Sequence, residues 1–499
     1  MSFEKGRINA ERRRRVLTAL IVLAGALPSV ASAQRTLTLE EAISIARESS
    51  PEIRRSRYSL EASEASLRAR QASLKTQFHL SLTPMEYSNT NRFNDYFSEW
   101  YRNESTTASG QFAISQPIKW TDGTLSLANS LEWRDSYSEA SDEESTTFQN
   151  NLFLRLEQPL FTYNRTMMDL EELERDFEIS SINYTLAELS IEQQVMNLFY
   201  SVYSTRMQLE ISADALEDAR ENHEIMKNKV DAGLGRLDDL YQAEVDMMTS
   251  EMDWENTRYE LANSLDRLKR MIGLPLDDEI DIEADVIFQP VGVDLEFAVR
   301  HGLESRLELR EAEIRIANAY NNVITAGANN EFKGSLELSY GTTGTSEDFR
   351  DMYDKPTENQ FVALSFEIPL WDWGRRKNLI NAAESRLESN RLDLEEERKG
   401  IVIEIREAYR ELENQVKQIE IARKRVESAR LTYEINLERY RNGDLSAQDL
   451  GNYRDSLSNA RLSEVRALID YRLALFDMMV KSLWDFETDE PAIDFNPTD

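Results

Sequence analysis

Cysteine is absent from the 499 residues. That excludes disulfides, thiolate metal ligands and cysteine nucleophiles, and it removes the cysteine that an N-terminal lipid anchor needs. Histidine is nearly absent: His79, His223 and His301 are the only three, and they fall on separate segments, so no imidazole cluster has metal-ligand spacing. Long apolar runs are missing as well. The stretch Val16 to Leu27 is too short for a bilayer core, which needs about 20 residues, and no later run comes near that length. A glycine-rich phosphate loop, a catalytic triad and a paired-carboxylate site are missing too. No enzymatic activity and no cofactor are expected.

Basic residues are outnumbered. The formal net charge is −33, and a surface so acidic is a poor partner for nucleic acid, whose binding depends on clustered lysine and arginine. It suits a large exposed surface or a cation-favouring lumen.

What is present begins with an export signal. Arg12 to Arg15, the apolar stretch that follows, and Ala31-Ser32-Ala33 before Gln34 make the three regions of a secretory signal peptide. Cleavage is expected between Ala33 and Gln34, so residues 1–33 are set apart from the fold. An exported chain without a transmembrane helix is periplasmic, secreted, or a β-barrel of an outer membrane.

The remainder repeats itself. Leu39-Glu40-Glu41-Ala42 through Pro51-Glu52-Ile53-Arg54 aligns without gaps on Leu295-Glu296-Phe297-Ala298 through Leu307-Glu308-Leu309-Arg310. A second register matches Leu154 through Phe161 to Leu364 through Trp371, and continues to Gly233/Gly443, Asp239/Asp449 and Leu240/Leu450. The registers differ by 46 residues, so the first half carries an insertion. The expected organisation is a first repeat over 34–290, a second over 291–487 and an acidic tail over 488–499. Each repeat reads as helix, strands, long helix, glycine turn, helix.

The long helices are heptad repeats. Ile191, Val195, Leu198, Val202, Thr205, Leu209, Ser212, Leu216, Ala219, His223, Met226 and Val230 step by four and three, and Ile401, Ile405, Ala408, Leu412, Val416, Ile419, Val426 and Ala429 do the same. Gly233 and Gly443 end these helices, because glycine adopts the left-handed backbone that a reversal needs. Return helices are expected over about 237–272 and 447–484. Met247, Met248, Met252, Met478 and Met479 lie on them, where methionine is ordinarily core filler and only secondarily a soft-metal ligand.

Between the helices the period falls to two. Leu125, Leu127, Leu131 and Trp133 alternate with polar or small residues, as do Leu152, Leu154, Leu156 and Leu160, and Val362, Leu364, Phe366, Ile368 and Leu370. Six strands are expected near 77–87, 107–119, 124–136, 148–161, 333–343 and 359–371. The connectors 88–106, 137–147 and 344–358 read as long polar loops, and Thr121-Asp122-Gly123 as a tight turn. Long outer loops and short periplasmic turns are the rule for transmembrane barrels. Trp120, Phe161 and Trp371 follow the three descending strands, where an interfacial aromatic belt falls. Six strands cannot enclose a wide lumen, so several chains must share one barrel.

These motifs together resemble the TolC-like outer-membrane efflux proteins. The likeness is carried by Leu37-Thr38-Leu39-Glu40-Glu41-Ala42 with Ser50-Pro51-Glu52-Ile53, and by the joints Gln158-Pro159-Leu160-Phe161 and Ile368-Pro369-Leu370-Trp371. Gly233 with Asp239-Leu240 completes it, with Tyr440-Arg441-Asn442-Gly443-Asp444-Leu445-Ser446 and Asp449-Leu450.

The resemblance implies a mainly α fold with a membrane β-barrel portion. It implies a homotrimer with a shared barrel in outer-membrane lipid and a helical tunnel in the periplasm. The implied partners are a periplasmic adaptor and an inner-membrane pump or exporter. The family usually has four strands per chain, so the hairpin from Gln111 to Trp133 departs from it. The resemblance also puts an acidic aperture at the hairpin tips. Asp449 falls on one acidic position, while the next is Asn452 here, with Asp444, Asp238 and Asp239 close by. Gly233, Gly443, Leu445, Ser446, Arg236 and Arg441 would form the tips that meet the adaptor. Helix capping is the simpler use of these aspartates. A periplasmic coiled-coil scaffold or adaptor with a soluble β domain is the second reading of the whole chain.

Overall fold

A computed structural model describes residues 35–95, 98–284, 286–442 and 444–493. The signal segment, with Ala33 and Gln34, lies outside these residues, as do Gly443 and the side chain of Arg441. The chain divides into two compact units. One joins Ile191–Gln289 and Asn414–Leu473 to the N-terminal stretch up to Pro51, and the other holds Glu52–Ser190, Pro290–Glu413 and the C-terminal stretch from Ala474.

In the first unit, β1 (Arg35–Leu37) pairs in parallel with β6 (Ile280–Ile282). Helix α1 (Leu39–Ser49) starts at a capping box in which Thr38 and Glu41 bond each other's backbone N–H. Pro51 then opens α2 (Pro51–Ser73), a position where its missing N–H costs nothing. The pair that aligns with these two in sequence is α5 (Leu295–Ser305), capped by Asp294, and α6 (Leu307–Gly327), both in the second unit, which also holds α2 from Glu52 onward. There Arg306 supplies the extended break, at φ −63° and ψ 123°. Its buried guanidinium bonds Glu308 at 2.7 Å and Glu404 at 3.3 Å.

The heptads fold as long helices. α3 (Arg165–Asp231) and α7 (Arg375–Arg441) each have 67 residues, about 100 Å at about 1.5 Å per residue. Along α3, Ile191, Val195, Val202, Ser212, Leu216, Ala219 and Met226 are buried, and His223 is half-buried. Along α7, Ile401, Ile405, Ala408, Leu412 and Ile419 are buried. Met478 is wholly buried in the second unit, in a core with Ala298, Leu309, Ile401, Ile405 and Ala408.

The return helices are α4 (Leu237–Ile272) and α8 (Ala447–Ser482). α4 stops at Gly273, whose φ of +83° is left-handed and whose α-carbon faces the Ser49 carbonyl so closely that a Cβ would sit 2.4 Å from its oxygen. Only glycine fits there. α8 ends two residues before Trp484, which the heptad pattern had kept helical. Leu483 at φ 53° turns the chain into a small hairpin of β9 (Trp484–Asp485) and β10 (Glu490–Pro491). Among the described residues no helix is long and apolar enough to cross a membrane.

Six strands make one antiparallel sheet in chain order: β2 (Gln77–Asn94), β3 (Glu99–Ile118), β4 (Gly123–Ser138), β5 (Glu143–Leu160), β7 (Lys333–Ser346) and β8 (Thr357–Glu367). All six expected strands are present; five are longer than expected, β2 and β3 by the most. The connectors 88–106 and 137–147 are mostly strand. Ser88 pairs with Ser105, Arg92 with Tyr101, and Ser138 with Glu143. Backbone pairing continues after the side chains stop alternating. β8 is shorter than read, so Ile368-Pro369-Leu370 lies just beyond its end.

Candidate channel wall and aperture

The register sorts the sheet into two faces. Leu80 is opposite Phe112, Ile114 opposite Leu127, Leu127 opposite Leu154, Leu156 opposite Leu338, and Leu338 opposite Val362. These side chains share one side, and Leu80 and Val362 are 67% and 73% exposed in the single chain. An apolar face this bare needs a non-aqueous neighbour. Leu125 to Trp133 spans nine residues, against the roughly nine to eleven that a tilted strand needs to cross a bilayer. Asn129 interrupts this face, and its amide donates to the Asn150 carbonyl oxygen at 3.3 Å, which lowers the cost of a polar group there.

The opposite face is polar and internally bonded. Asn151 donates to Ser130 at 3.3 Å, Thr343 to Asn151 at 2.9 Å, and Asn359 to Thr343 at 2.8 Å. This band crosses β4, β5, β7 and β8. Arg155 lies between Glu157 at 3.7 Å and Glu337 at 3.4 Å. Phe153 covers Gly341, where a Cβ would meet its ring. The sheet is therefore apolar on one side and hydrophilic on the other, as a channel wall requires.

At the end of the sheet where the long helices start, Trp120, Phe161 and Trp371 are all exposed, and so is Trp373, which the sequence reading passed over. Phe332 lies 5.3 Å from Phe161 and stacks on Phe366 at 5.6 Å. The joints then start the long helices. Asn164 accepts from the Met167 N–H at 2.8 Å, and Asp372 accepts from the N–H groups of Gly374 and Arg376.

The tips lie in the first unit. The Leu234 N–H reaches back to the Lys229 carbonyl at 2.8 Å, and the Asp444 N–H to Arg439 at 2.9 Å. The two reversals therefore share one helix-ending bond, with Gly233 at φ +73°. Met226, Ala243, Tyr440 and Leu450 form a buried core between the hairpins, with Leu240, Leu445 and Ala447 packed against it. Leu445 is thus partly withdrawn from the surface.

Asp238, Asp239, Asp444, Asp449, Asn452, Arg236 and Ser446 are exposed. Asp238 receives two hydrogen bonds from Arg236, at 3.0 and 2.6 Å, and the guanidinium holds its carboxyl below the usual carboxylate range. Arg236, not an aspartate, stands at the cap position of α4. Asp449 does serve a cap: its N–H donates to the Ser446 hydroxyl oxygen at 3.1 Å, and that hydroxyl donates to its carboxylate at 2.6 Å.

Two ties across the hairpins went unread in the sequence. The Tyr440 hydroxyl donates to Asn222, and seven residues earlier Tyr433 donates to Asp218 at 3.3 Å. The Tyr440 ring is 5% exposed and its phenol is pushed up by burial and the Asp239 charge. A heptad spacing of two tyrosines was the available signal; Asn222 gave none. Leu234, 82% exposed at the tip, was also missed. The histidines stay apart: His301 stacks on Phe297 and bonds the Ser482 carbonyl at 2.9 Å. Among the described residues no three His, Asp or Glu side chains are grouped as metal ligands would be.

Known structures share this arrangement. The chain matches the Campylobacter jejuni CmeC outer membrane channel at 16% identity with a TM-score of 0.69, over 95% of this chain and 93% of that one. It matches the outer membrane protein VceC from Vibrio cholerae at 15% and 0.67, over 89% and 95%. For the open state of the Neisseria gonorrhoeae MtrE outer membrane channel the values are 15% and 0.65, over 89% and 88%. A search of the curated proteins finds no match. The family model for outer membrane efflux proteins matches residues 121–274 and 298–477, well over half of the chain. With a two-faced sheet, paired helical hairpins and that match, the chain belongs to the outer membrane efflux protein family and is an efflux channel subunit of the outer membrane.

Proposed function

We propose that three copies of this chain close one barrel and one helical tunnel. Through it, cargo handed over by a periplasmic adaptor and an inner-membrane pump leaves passively for the exterior. The carrying observation is the sheet: one lipid-suited face, one hydrogen-bonded polar face and two unpaired edges, β2 and β8. Bare edges are not tolerated in hydrocarbon, so neighbouring copies must cover them. A second stripe supports this. Tyr241, Val245, Met248, Met252 and Tyr259 recur at heptad spacing along α4 and are exposed in the single chain. Such a seam buries itself against another helix.

The passage closes at the tips in this reading, where Asp449, Asp444, Asp239 and Asp238 of three copies face the axis with Asn452. Gathered carboxylates repel one another and attract cations. Arg236 offsets part of that charge, and Ser446 orients Asp449. The tips around Gly233 and Gly443, with Leu445, Ser446 and Arg441, meet the adaptor. Replacing Asp444→Asn and Asp449→Asn together keeps the side-chain size and removes six charges per trimer. In planar bilayers this variant is expected to conduct more and to prefer cations less. Unchanged currents and ion selectivity would remove the aspartates from the aperture.

A further inference from the structure

We propose that the membrane mouth of this channel is an eighteen-stranded barrel rather than a twelve-stranded one. The inference rests on the shared-barrel reading above, and it concerns what the inserted hairpin β3–β4 does. Its first support is continuity. β3 pairs with β2 from Gln77↔Ser115 to Asn94↔Glu99, with one irregularity between Thr83 and Glu86. β4 pairs with β5 from Thr124↔Glu157 to Ser138↔Glu143. The hairpin is thus inside the sheet, with ladders on both sides.

Its second support is patterning. Phe112, Ile114, Leu125, Leu127 and Leu131 continue the apolar face, and Ser130 opens the polar band that runs on through Asn151, Thr343 and Asn359. A hairpin lying outside the ring has no need for a polar side matched to the lumen. Its third support is anchorage. The turn below β3 and β4 is held by the start of α3: Asn164 donates to the Lys119 carbonyl at 2.7 Å, and Asp122 accepts from the Thr166 N–H at 3.1 Å. Gln158 donates to the Thr121 carbonyl at 2.6 Å. The hairpin therefore starts at the same level as the other strands.

Parity completes the case. Six alternating strands leave β2 and β8 running in opposite directions, so β8 of one copy meets β2 of the next in antiparallel fashion. Three copies of six strands give eighteen. Barrel diameter grows roughly linearly with strand number, and 16–18 strands leave an aqueous channel. The mouth is then about 1.5 times as wide as a twelve-stranded one. Its wall sets no tighter size limit on cargo than a porin-sized lumen does.

Electron microscopy of the detergent-extracted full chain counts the strands directly. Eighteen strands around a threefold axis is the expected result. A threefold ring of twelve, with β3 and β4 folded away, would overturn the inference and leave the trimeric channel standing. No ring at all would remove both. A companion variant lacking residues 99–142 joins β2 directly to β5. For it, polymers entering from the outer side should be excluded at about two-thirds of the diameter the full chain admits. An unchanged cut-off in a variant that still forms channels would count against the wider mouth.

Discussion

Leu152→Arg is expected to remove most of the protein from the outer membrane, while Gln149→Arg leaves it there. Leu152 stands opposite Asn129 and Thr342 on the apolar face of β5, midway along the lipid-suited span. An arginine facing lipid at the bilayer midplane costs about 2–4 kcal/mol, and a shared barrel carries one from each copy. Three copies raise the penalty to roughly 6–12 kcal/mol, comparable to the whole stability of a typical domain, about 5–15 kcal/mol. Gln149 is three residues away on the opposite face, on the side where Arg155 already lies between two glutamates. The measurement is the amount of heat-resistant oligomer in the detergent-extracted outer membrane. Equal loss in both variants would mean that the faces have been assigned wrongly.

Tyr433→Phe with Tyr440→Phe is expected to open the tips. Each hydroxyl makes one hydrogen bond between the hairpins, to Asp218 and Asn222, and each such bond is worth about 0.5–1.5 kcal/mol net. Six bonds in a trimer sum to roughly 3–9 kcal/mol. About 5.5 kcal/mol turns a 1:99 population into 99:1. The apolar rings remain, so the core around Met226 and Leu450 keeps its packing and the variant should still fold. A higher open probability in single-channel recordings checks this. Recordings that match the parent would show that the tyrosines hold the hairpins without holding the aperture.

The legibility of the fold follows the strength of each physical signal. Burial of a heptad face acts over dozens of residues, and Ile401, Ile405, Ala408 and Leu412 could be placed in the core before any coordinates. Strand existence was equally plain, because lipid demands alternation. Strand length was not, since alternation stops where lipid stops, while the ladder continues from Ser88 to Asn94 by backbone bonds alone. The β1–β6 pair is three residues on each side, too short for any period to show. Trp484 extended an apolar pattern, and the left-handed Leu483 broke it.

The candidate aperture was half legible. Its acidic residues stand out in the sequence around the tips, and the glycine at 233 marks the reversal. The tyrosine ties depend on which residues two helices bring face to face, which no single helix encodes. The capping exchange with Ser446 is the local role of Asp449, and the axial role is proposed for that same residue. Charge removal and hydrogen-bond removal therefore need separate variants.

The most direct test of a shared ring uses the absence of cysteine. Ser81→Cys on β2 is combined, one position at a time, with cysteines across residues 359–367 of β8, and the membranes are oxidised. At a matching register the expected result is covalent dimer and a closed covalent trimer, with nothing larger. Monomer alone at every position, or a ladder that runs past three, would contradict the closure of one barrel by three chains.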